Sequence, residues 1–205
     1  DDWQRLGQGI VVGHLLECAA QVSGGYIADP GFVDVPRLDE VGFPLAEVQA
    51  DGRCVITKLA GTGGRVDRLT CTAQLLYELE DPGRYLQPDV MADFSGVHLT
   101  EIGPDHVQVE GASGHPRPDQ LKVTLGYRDG FIGEGQISYA GPGAIARGRL
   151  ALQVVRERLA MTGVAMSEAR FDLIGLDALH GRRISDGREP HEVRIRVAGR
   201  TETQA

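Results

Sequence analysis

Residues 45–57 read Leu45-Ala46-Glu47-Val48-Gln49-Ala50-Asp51-Gly52-Arg53-Cys54-Val55-Ile56-Thr57, and this stretch indicates the fold class. Two strand-like runs flank Ala50-Asp51-Gly52, and an Asp-Gly pair in this position is typical of a tight hairpin turn. The arrangement returns downstream, where residues 97–101 and 106–110 flank Gly103-Pro104-Asp105. We therefore predict two antiparallel β-hairpins.

The second hairpin also shows which of its faces is buried. Val97 and Leu99 alternate with polar residues, and Val107 and Val109 do the same on the returning strand. Successive side chains of a strand point to opposite faces, so this alternation predicts one face in the core and one in water.

Three helices are predicted around the hairpins. Apolar residues recur at helical spacing over residues 10–22, after Gly64 and after Pro142. Glycine after the last turn is a common helix end, and Gly24 and Gly163 occupy such positions in the first and third helices. The apolar stripes are Val11, Val12, Leu15, Leu16 and Ala19; Val66, Leu69, Ala73 and Leu76; and Ile145, Leu152, Val155 and Leu159.

The remaining segments complete an α+β fold. Residues 26–44 are rich in Pro, Gly and Asp and predict a long ordered loop, while alternating or apolar runs predict strands at 121–127, 137–139, 171–176 and 193–197. Hairpins combined with helices indicate a mixed sheet, built largely from β-hairpins and packed against about three helices. A length of 205 residues suits a single domain over 1–205.

Composition and charge narrow the function classes. The net charge of −8 weighs against nucleic acid as a partner, because phosphate backbones are bound by basic surfaces. No apolar run approaches the roughly 18 residues that a membrane span needs. The first residues, Asp1-Asp2-Trp3-Gln4-Arg5, lack the basic flank and apolar stretch of a signal peptide. We expect neither a nucleic acid nor a membrane partner.

The cysteines indicate a cytoplasmic protein. Cys18, Cys54 and Cys71 are an odd number and show no CxxC spacing. This pattern favours reduced thiols over a disulfide framework or a zinc knuckle. We expect no metal site.

A glycine-rich turn is the first candidate binding site. Residues 58–65 read Lys58-Leu59-Ala60-Gly61-Thr62-Gly63-Gly64-Arg65, between a predicted strand and a predicted helix. Small residues let backbone N–H groups approach an anion, and a helix N-terminus favours negative charge. The sequence thus predicts an anion site formed by Lys58, Gly61, Thr62, Gly63, Gly64 and Arg65, or else a connection whose glycines only satisfy backbone geometry.

The second candidate is a stripe on the first helix. His14, Glu17, Cys18 and Gln21 lie at i, i+3, i+4 and i+7, on the side opposite the apolar stripe. Side chains one turn apart meet on a helix, so an imidazole, a carboxylate and a thiol converge there. His14, Glu17 and Cys18 are candidate catalytic residues for acid–base or nucleophilic work. The alternatives are a metal-dependent hydrolase and a purely structural polar face.

Several stretches together resemble a known family, the acyclic terpene utilisation (AtuA-like) proteins of bacteria. They are Gly13-His14-Leu15-Leu16-Glu17-Cys18-Ala19-Ala20-Gln21, Phe43-Pro44-Leu45-Ala46-Glu47-Val48, Val55-Ile56-Thr57-Lys58 leading into Gly61-Thr62-Gly63-Gly64, Thr72-Ala73-Gln74-Leu75-Leu76-Tyr77-Glu78, Tyr85-Leu86 followed by Pro88-Asp89-Val90, and residues 121–131. The resemblance covers nearly the whole chain in order.

The resemblance implies a place in the breakdown of acyclic terpenes such as citronellol and geraniol, which proceeds through acyl-CoA thioesters. It implies a lyase-type role on a branched hydroxy-glutaryl-CoA intermediate. The CoA thioester is then the substrate, and we expect no cofactor. Family members are longer, and this sequence resembles the second half of their core, which implies a preceding α/β half.

Two classes of function therefore stay open. The first is an enzyme acting on a small acyl-CoA or branched acid. The second is a non-catalytic scaffold or assembly subunit beside acyl-CoA-metabolising enzymes. In either case we expect a homo-oligomer or a complex with the rest of the family core.

Overall fold

The computed structural model describes residues 2–181 and 189–204. The chain divides into two compact units, Asp1–Thr124 and Leu125–Ala205. Each unit has a hydrophobic core of its own. The single-domain organisation stays a prediction.

The described residues form an α+β fold, as the sequence predicts. The helices are α1 (Trp3–Glu17), α2 (Arg68–Leu75) and α3 (Ala144–Thr162), with short 3₁₀ turns at Ala19–Gln21 and Leu38–Glu40. The strands are β1 (Pro44–Val48), β2 (Cys54–Lys58), β3 (Tyr85–Leu86), β4 (Val90–Asp93), β5 (His98–Gly103), β6 (His106–Glu110), β7 (Ser113–Pro116), β8 (Phe131–Ala140), β9 (Glu168–Ile174) and β10 (Glu192–Thr201).

Both predicted hairpins are confirmed, and they join into one antiparallel sheet of the first unit. Its strand order is β1-β2-β6-β5, so β2 and β6 are the central strands. Leu45 lies opposite Thr57 in the first hairpin, and Leu99 lies opposite Val109 in the second. Val107 and Val109 are fully buried, which confirms the predicted inner face.

Helix α1 packs into the core of the first unit, but its polar side differs from the prediction. It begins at Trp3, where the Asp2 side chain caps it, and ends at Glu17 instead of continuing to residue 22. Val11 and Leu15 are fully buried, as predicted. His14 is buried too, because the C-terminal half of α1 is covered on more than one side.

The predicted apolar stripe of the second helix is only partly correct, because Val66 is buried but lies before the helix. Leu69 and Leu76 are 51% and 59% exposed, whereas Cys71 and Gln74 are buried. Asp67 and Thr70 form a reciprocal capping box that starts the helix at Arg68. The inward face of α2 is the one that carries the hydrogen bonds to α1. The spacing of apolar residues in the sequence does not predict such hydrogen bonds.

The first unit contains a second, smaller sheet that the sequence analysis did not predict. It has the order β3-β4-β7 and lies against α1. Helix α1 passes β7 so closely that a Cβ at Gly7 would lie 1.9 Å from the carbonyl oxygen of Ser113. Only glycine allows this approach.

The second unit packs α3 against an antiparallel sheet of order β8-β10-β9. Leu173, Val193 and Ile195 are buried beneath the helix, and Ile145 and Leu152 pack on them as predicted. The strand predicted at residues 121–127 is wrong. Its four apolar residues are each at least 61% exposed, and no neighbouring strand pairs with them among the described residues.

Candidate functional site

The C-terminal turn of α1 brings two predicted site residues into contact. Nδ1 of His14 lies 2.8 Å from Oε1 of Glu17. The His14 side chain is 1% exposed and that of Glu17 is 48% exposed. The pair therefore joins a buried imidazole to a carboxylate that solvent reaches.

The other ring nitrogen fixes the tautomer of His14. Nε2 lies 3.1 Å from the backbone carbonyl oxygen of Leu75. A carbonyl oxygen only accepts hydrogen bonds, so Nε2 carries a proton and donates it. In the neutral ring, Nδ1 then presents a lone pair to Glu17, and an attractive contact needs a further proton on Nδ1 or on the carboxyl group.

The contact at Nδ1 is not an aligned hydrogen bond. The carboxylate oxygen is close but does not lie along the ring N–H direction. The contact is an ion pair only when the imidazole is protonated.

Packing holds the His14 ring in place. The ring centroid lies 5.3 Å from that of Tyr85 and 5.7 Å from that of Phe94. Nε2 of Gln74 donates to the His14 carbonyl oxygen at 2.9 Å. Both the ring and the backbone of His14 are anchored, which is the arrangement that orients a catalytic partner.

Tyr85 packs against His14, and sequence reasoning missed it as a site residue. A second tyrosine, Tyr77, is hydrogen-bonded to Glu78. Burial raises the pKa of Tyr85, and the negative charge of Glu17 raises it further. The charge and hydrogen bonding of Glu78 raise the pKa of Tyr77, whose ring contacts Tyr26 at 5.7 Å. Both phenols therefore stay protonated near neutral pH and are hydrogen-bond donors.

Cys18 follows Glu17 directly and caps the C-terminus of α1. It is partly exposed, and its backbone N–H donates to the Leu16 carbonyl. Cys54 and Cys71 are buried in the core, where burial raises their thiol pKa values to about 11 and about 12. Cys18 is therefore the most accessible of the three thiols.

The glycine-rich turn has a different structure from a free anion-binding loop. Lys58 ends β2, and the turn leads from it to the start of α2. Four successive backbone N–H groups donate to backbone carbonyls: Thr62 to Leu59 at 3.2 Å, Gly63 to Glu40 at 2.8 Å, Gly64 to Pro36 at 2.7 Å and Arg65 to Ser23 at 2.9 Å. An anion bound by these amides has to displace those hydrogen bonds.

The basic residues of the turn are paired as well. Nζ of Lys58 lies 3.2 Å from a carboxylate oxygen of Asp105, and its side chain is only 7% exposed. The Arg65 guanidinium lies 2.7 Å from Asp67. The backbone N–H of Arg68, at the start of α2, donates to Glu101. Anion binding stays a prediction for the six residues Lys58, Gly61, Thr62, Gly63, Gly64 and Arg65. An anion bound there would compete with these ion pairs and hydrogen bonds.

The structure also bears on metal and membrane binding. Within residues 2–181 and 189–204, no three His, Cys, Asp or Glu side chains are grouped so as to hold a metal ion. The alternative of a metal-dependent hydrolase through His14, Glu17 and Cys18 gains no geometric support. None of the helices in the same residues has the length and apolar character for crossing a bilayer.

Comparison with known proteins gives one match. The family described as "Acyclic terpene utilisation family protein AtuA" has a model that matches residues 1–205. Neither the curated proteins nor the solved structures give a match.

Proposed function

This chain belongs to the acyclic terpene utilisation family AtuA, and from that premise we propose that it is a lyase-type enzyme acting on a branched acyl-CoA thioester. Family membership supports the role in acyclic terpene utilisation. The enzymatic part of the proposal is supported by one observation, the contact between the buried His14 imidazole and the half-exposed Glu17 carboxylate.

The two residues have different roles in this proposal. Glu17 is the general base, because its carboxylate is accessible to substrate. His14 is a positioning residue, since a side chain that is 1% exposed does not reach a substrate at the surface. Held by Leu75, it sets the orientation of Glu17.

The reaction is a carbon–carbon cleavage beside a tertiary hydroxyl group. Glu17 accepts the hydroxyl proton, the C–O bond becomes a carbonyl, and the electron pair of the adjacent C–C bond moves into the thioester as an enolate. The enolate carbon then takes up a proton, which the protonated Glu17 returns. Atoms and charges balance without an oxidant, a reductant or a cofactor.

The enolate oxygen needs hydrogen-bond donors, and in this proposal the Tyr85 phenol supplies one. Tyr85 contacts His14 and feels the charge of Glu17, and its raised pKa keeps its proton in place. Donors aimed at a developing oxyanion supply a large share of the barrier reduction in such reactions. In this proposal Cys18 lines the same substrate position, and the CoA phosphates approach Lys58 and Arg65.

The test is turnover of a branched 3-hydroxyglutaryl-type CoA thioester, measured as released acyl-CoA. Glu17→Gln removes the base but keeps the size of the side chain, and we expect kcat to fall by roughly 10²–10⁴-fold. Glu47→Gln, an exposed carboxylate on β1, is the matched control and should leave kcat unchanged. Full turnover by Glu17→Gln would contradict the assignment of the base. No turnover by the unmodified protein would overturn the lyase reaction.

A second candidate is the scaffold or assembly subunit, and exposed apolar side chains favour it. Leu150, Val154 and Met161 of α3 are 61%, 48% and 80% exposed, and their helical spacing places them on one side of α3. Apolar side chains gathered on a surface often mark an interface. Sedimentation of the purified protein over a concentration range tests for a homo-oligomer, and a Leu150→Glu/Val154→Lys variant should dissociate one that uses this surface. A monomer at all concentrations would contradict the homo-oligomer.

A further inference from the structure

A groove of about 460 Å³ lies in the second unit, between α3 and the strands β8 and β10. It is separate in sequence from the His14–Glu17 pair, and the proposed function does not use it. Its apolar lining includes Phe131, Val155, Leu159, Val164, Met166 and Val197. The volume is within the range of small-molecule sites, roughly 300–1,000 Å³.

Glycines form the floor of this groove. Gly133 of β8 lies opposite Gly199 of β10, and Gly135 lies opposite Val197. Three of these four facing residues are therefore glycines. A Cβ at Gly133 or Gly135 would meet no atom within 4 Å. Neither residue has a positive φ, so the backbone does not require glycine at either position. What the glycines provide is space beneath α3.

The walls are apolar and end at a methionine. Val155 and Leu159 come from α3, where the sequence pattern predicts an inner face. Met166 closes one end, because a Cβ at Gly199 would lie 2.5 Å from its sulfur. A protein segment inserted here would bring backbone N–H and C=O groups that aliphatic walls leave without partners. A hydrocarbon chain needs no such partners.

The charge of the lining restricts the occupant further. None of the described residues that line the groove is cationic. Its one carboxylate, Glu134, is already paired with Arg196, which holds the pKa of Glu134 below its usual range. A carboxylate end would therefore find no neutralising charge, so the chemistry fits an uncharged end of the ligand.

We propose that this groove binds the uncharged, branched hydrocarbon part of an acyclic ligand, with the chain lying over Gly133 and Gly135. The apolar lining without cationic side chains supports an uncharged hydrocarbon, whereas its branched, acyclic form and its assignment to a substrate rest on the proposed function. The site belongs to the second unit alone and is tested there without any turnover.

The test fills the groove from its floor. Gly135→Leu places a side chain in space that is empty, in a strand that tolerates it, so the protein should fold at least as well. Binding of citronellol, an uncharged acyclic branched alcohol, is measured by calorimetry. We expect at least a tenfold weaker affinity in Gly135→Leu. Gln136→Leu adds the same side chain on the opposite face of β8 and should bind like the unmodified protein.

The outcomes separate this site from the proposed reaction. The proposal that the groove binds a hydrocarbon would be overturned if Gly135→Leu and Gln136→Leu bound citronellol with equal affinity. It would also be overturned if the unmodified protein did not bind citronellol. Citronellate should bind more weakly than citronellol, and tighter binding of the acid would contradict the uncharged end. If Gly135→Leu does not fold, Gly133→Val makes the same test. If both proposals hold, Glu17→Gln should lose turnover but still bind citronellol. If the unmodified protein shows no turnover but binds citronellol at this groove, the lyase proposal is contradicted and the groove proposal stands.

Discussion

Nε2 of His14 donates a hydrogen bond to the backbone carbonyl oxygen of Leu75 at 3.1 Å. In return, the Gln74 side chain donates to the carbonyl oxygen of His14 at 2.9 Å. Helices α1 and α2 thus exchange two buried hydrogen bonds, and His14 takes part in both. The same histidine that contacts Glu17 also joins the two helices, so its removal should affect stability, and under the proposed function catalysis as well.

We expect His14→Ala to lower the free energy of unfolding by about 2–4 kcal/mol. The change leaves the Leu75 carbonyl without its donor and opens a gap beside Tyr85 and Phe94. Urea denaturation followed by circular dichroism measures it. Glu17→Gln should cost less than about 1 kcal/mol, because its carboxylate is half exposed and exposed ion pairs contribute little. Equal effects from the two substitutions would contradict the structural role of His14.

The sequence predicted the hairpins because their signals are local. An Asp-Gly pair between alternating runs determines the turn and the register together, and residues 44–58 form as expected. The buried face of α2 was mispredicted for the opposite reason. The inward position of Gln74 depends on a hydrogen bond to a residue 60 positions away, and hydrophobic periodicity carries no information on it.

The candidate site was predicted in part. The i, i+3 spacing correctly brings His14 and Glu17 together, because helix geometry alone places them one turn apart. The burial of His14 and the positions of Tyr77 and Tyr85 come from tertiary packing, which spacing does not reveal. The strand prediction at residues 121–127 was wrong. Alternation of apolar and polar residues is typical of a strand, but it does not show whether a partner strand lies beside it.

Cys18 should be the thiol that reacts first in the folded protein. It is partly exposed, whereas burial raises the pKa values of Cys54 and Cys71 to about 11 and about 12 and shields both sulfurs. The thiolate is the reactive form, so these two should be inert at pH 8. Mass spectrometry after iodoacetamide treatment should show one modification natively and three in urea. Native modification of Cys54 or Cys71 would contradict their burial.

The same two cysteines predict a loss of stability at alkaline pH. Their folded-state pKa values lie above the ordinary 9.0, so the folded protein holds these protons more tightly than the unfolded chain. The resulting stabilisation is complete below about pH 9 and is lost as the pH rises toward 11–12. The raised pKa values of Tyr77 and Tyr85 act in the same direction.

Urea midpoints at pH 7, 9 and 10.5 measure this alkaline loss. Each buried thiol contributes a slope of at most about 1.4 kcal/mol per pH unit between its two pKa values. A Cys54→Ala/Cys71→Ala variant is less stable at neutral pH but should lose less between pH 9 and 10.5. A slope as steep as that of the unmodified protein would show that other groups cause the alkaline loss.

The glycine-rich turn gives the sharpest test of where a CoA thioester binds. Lys58 is nearly buried against Asp105, and Lys58→Ala removes both this ion pair and the hydrogen bond that Nζ donates to the Thr62 carbonyl oxygen, so we expect unfolding to become easier by about 1–3 kcal/mol. Arg65 is more exposed, and Arg65→Ala should change stability little while removing a charge from the turn. Thermal shift with CoA, compared between Arg65→Ala and the exposed control Arg84→Ala, reads out the phosphate contact. A smaller CoA shift in Arg65→Ala alone would place the phosphates at the turn, because CoA would then displace the Asp67 contact. Equal shifts in the two variants would show that the turn's hydrogen bonds and ion pairs are structural and that CoA approaches Glu17 from elsewhere.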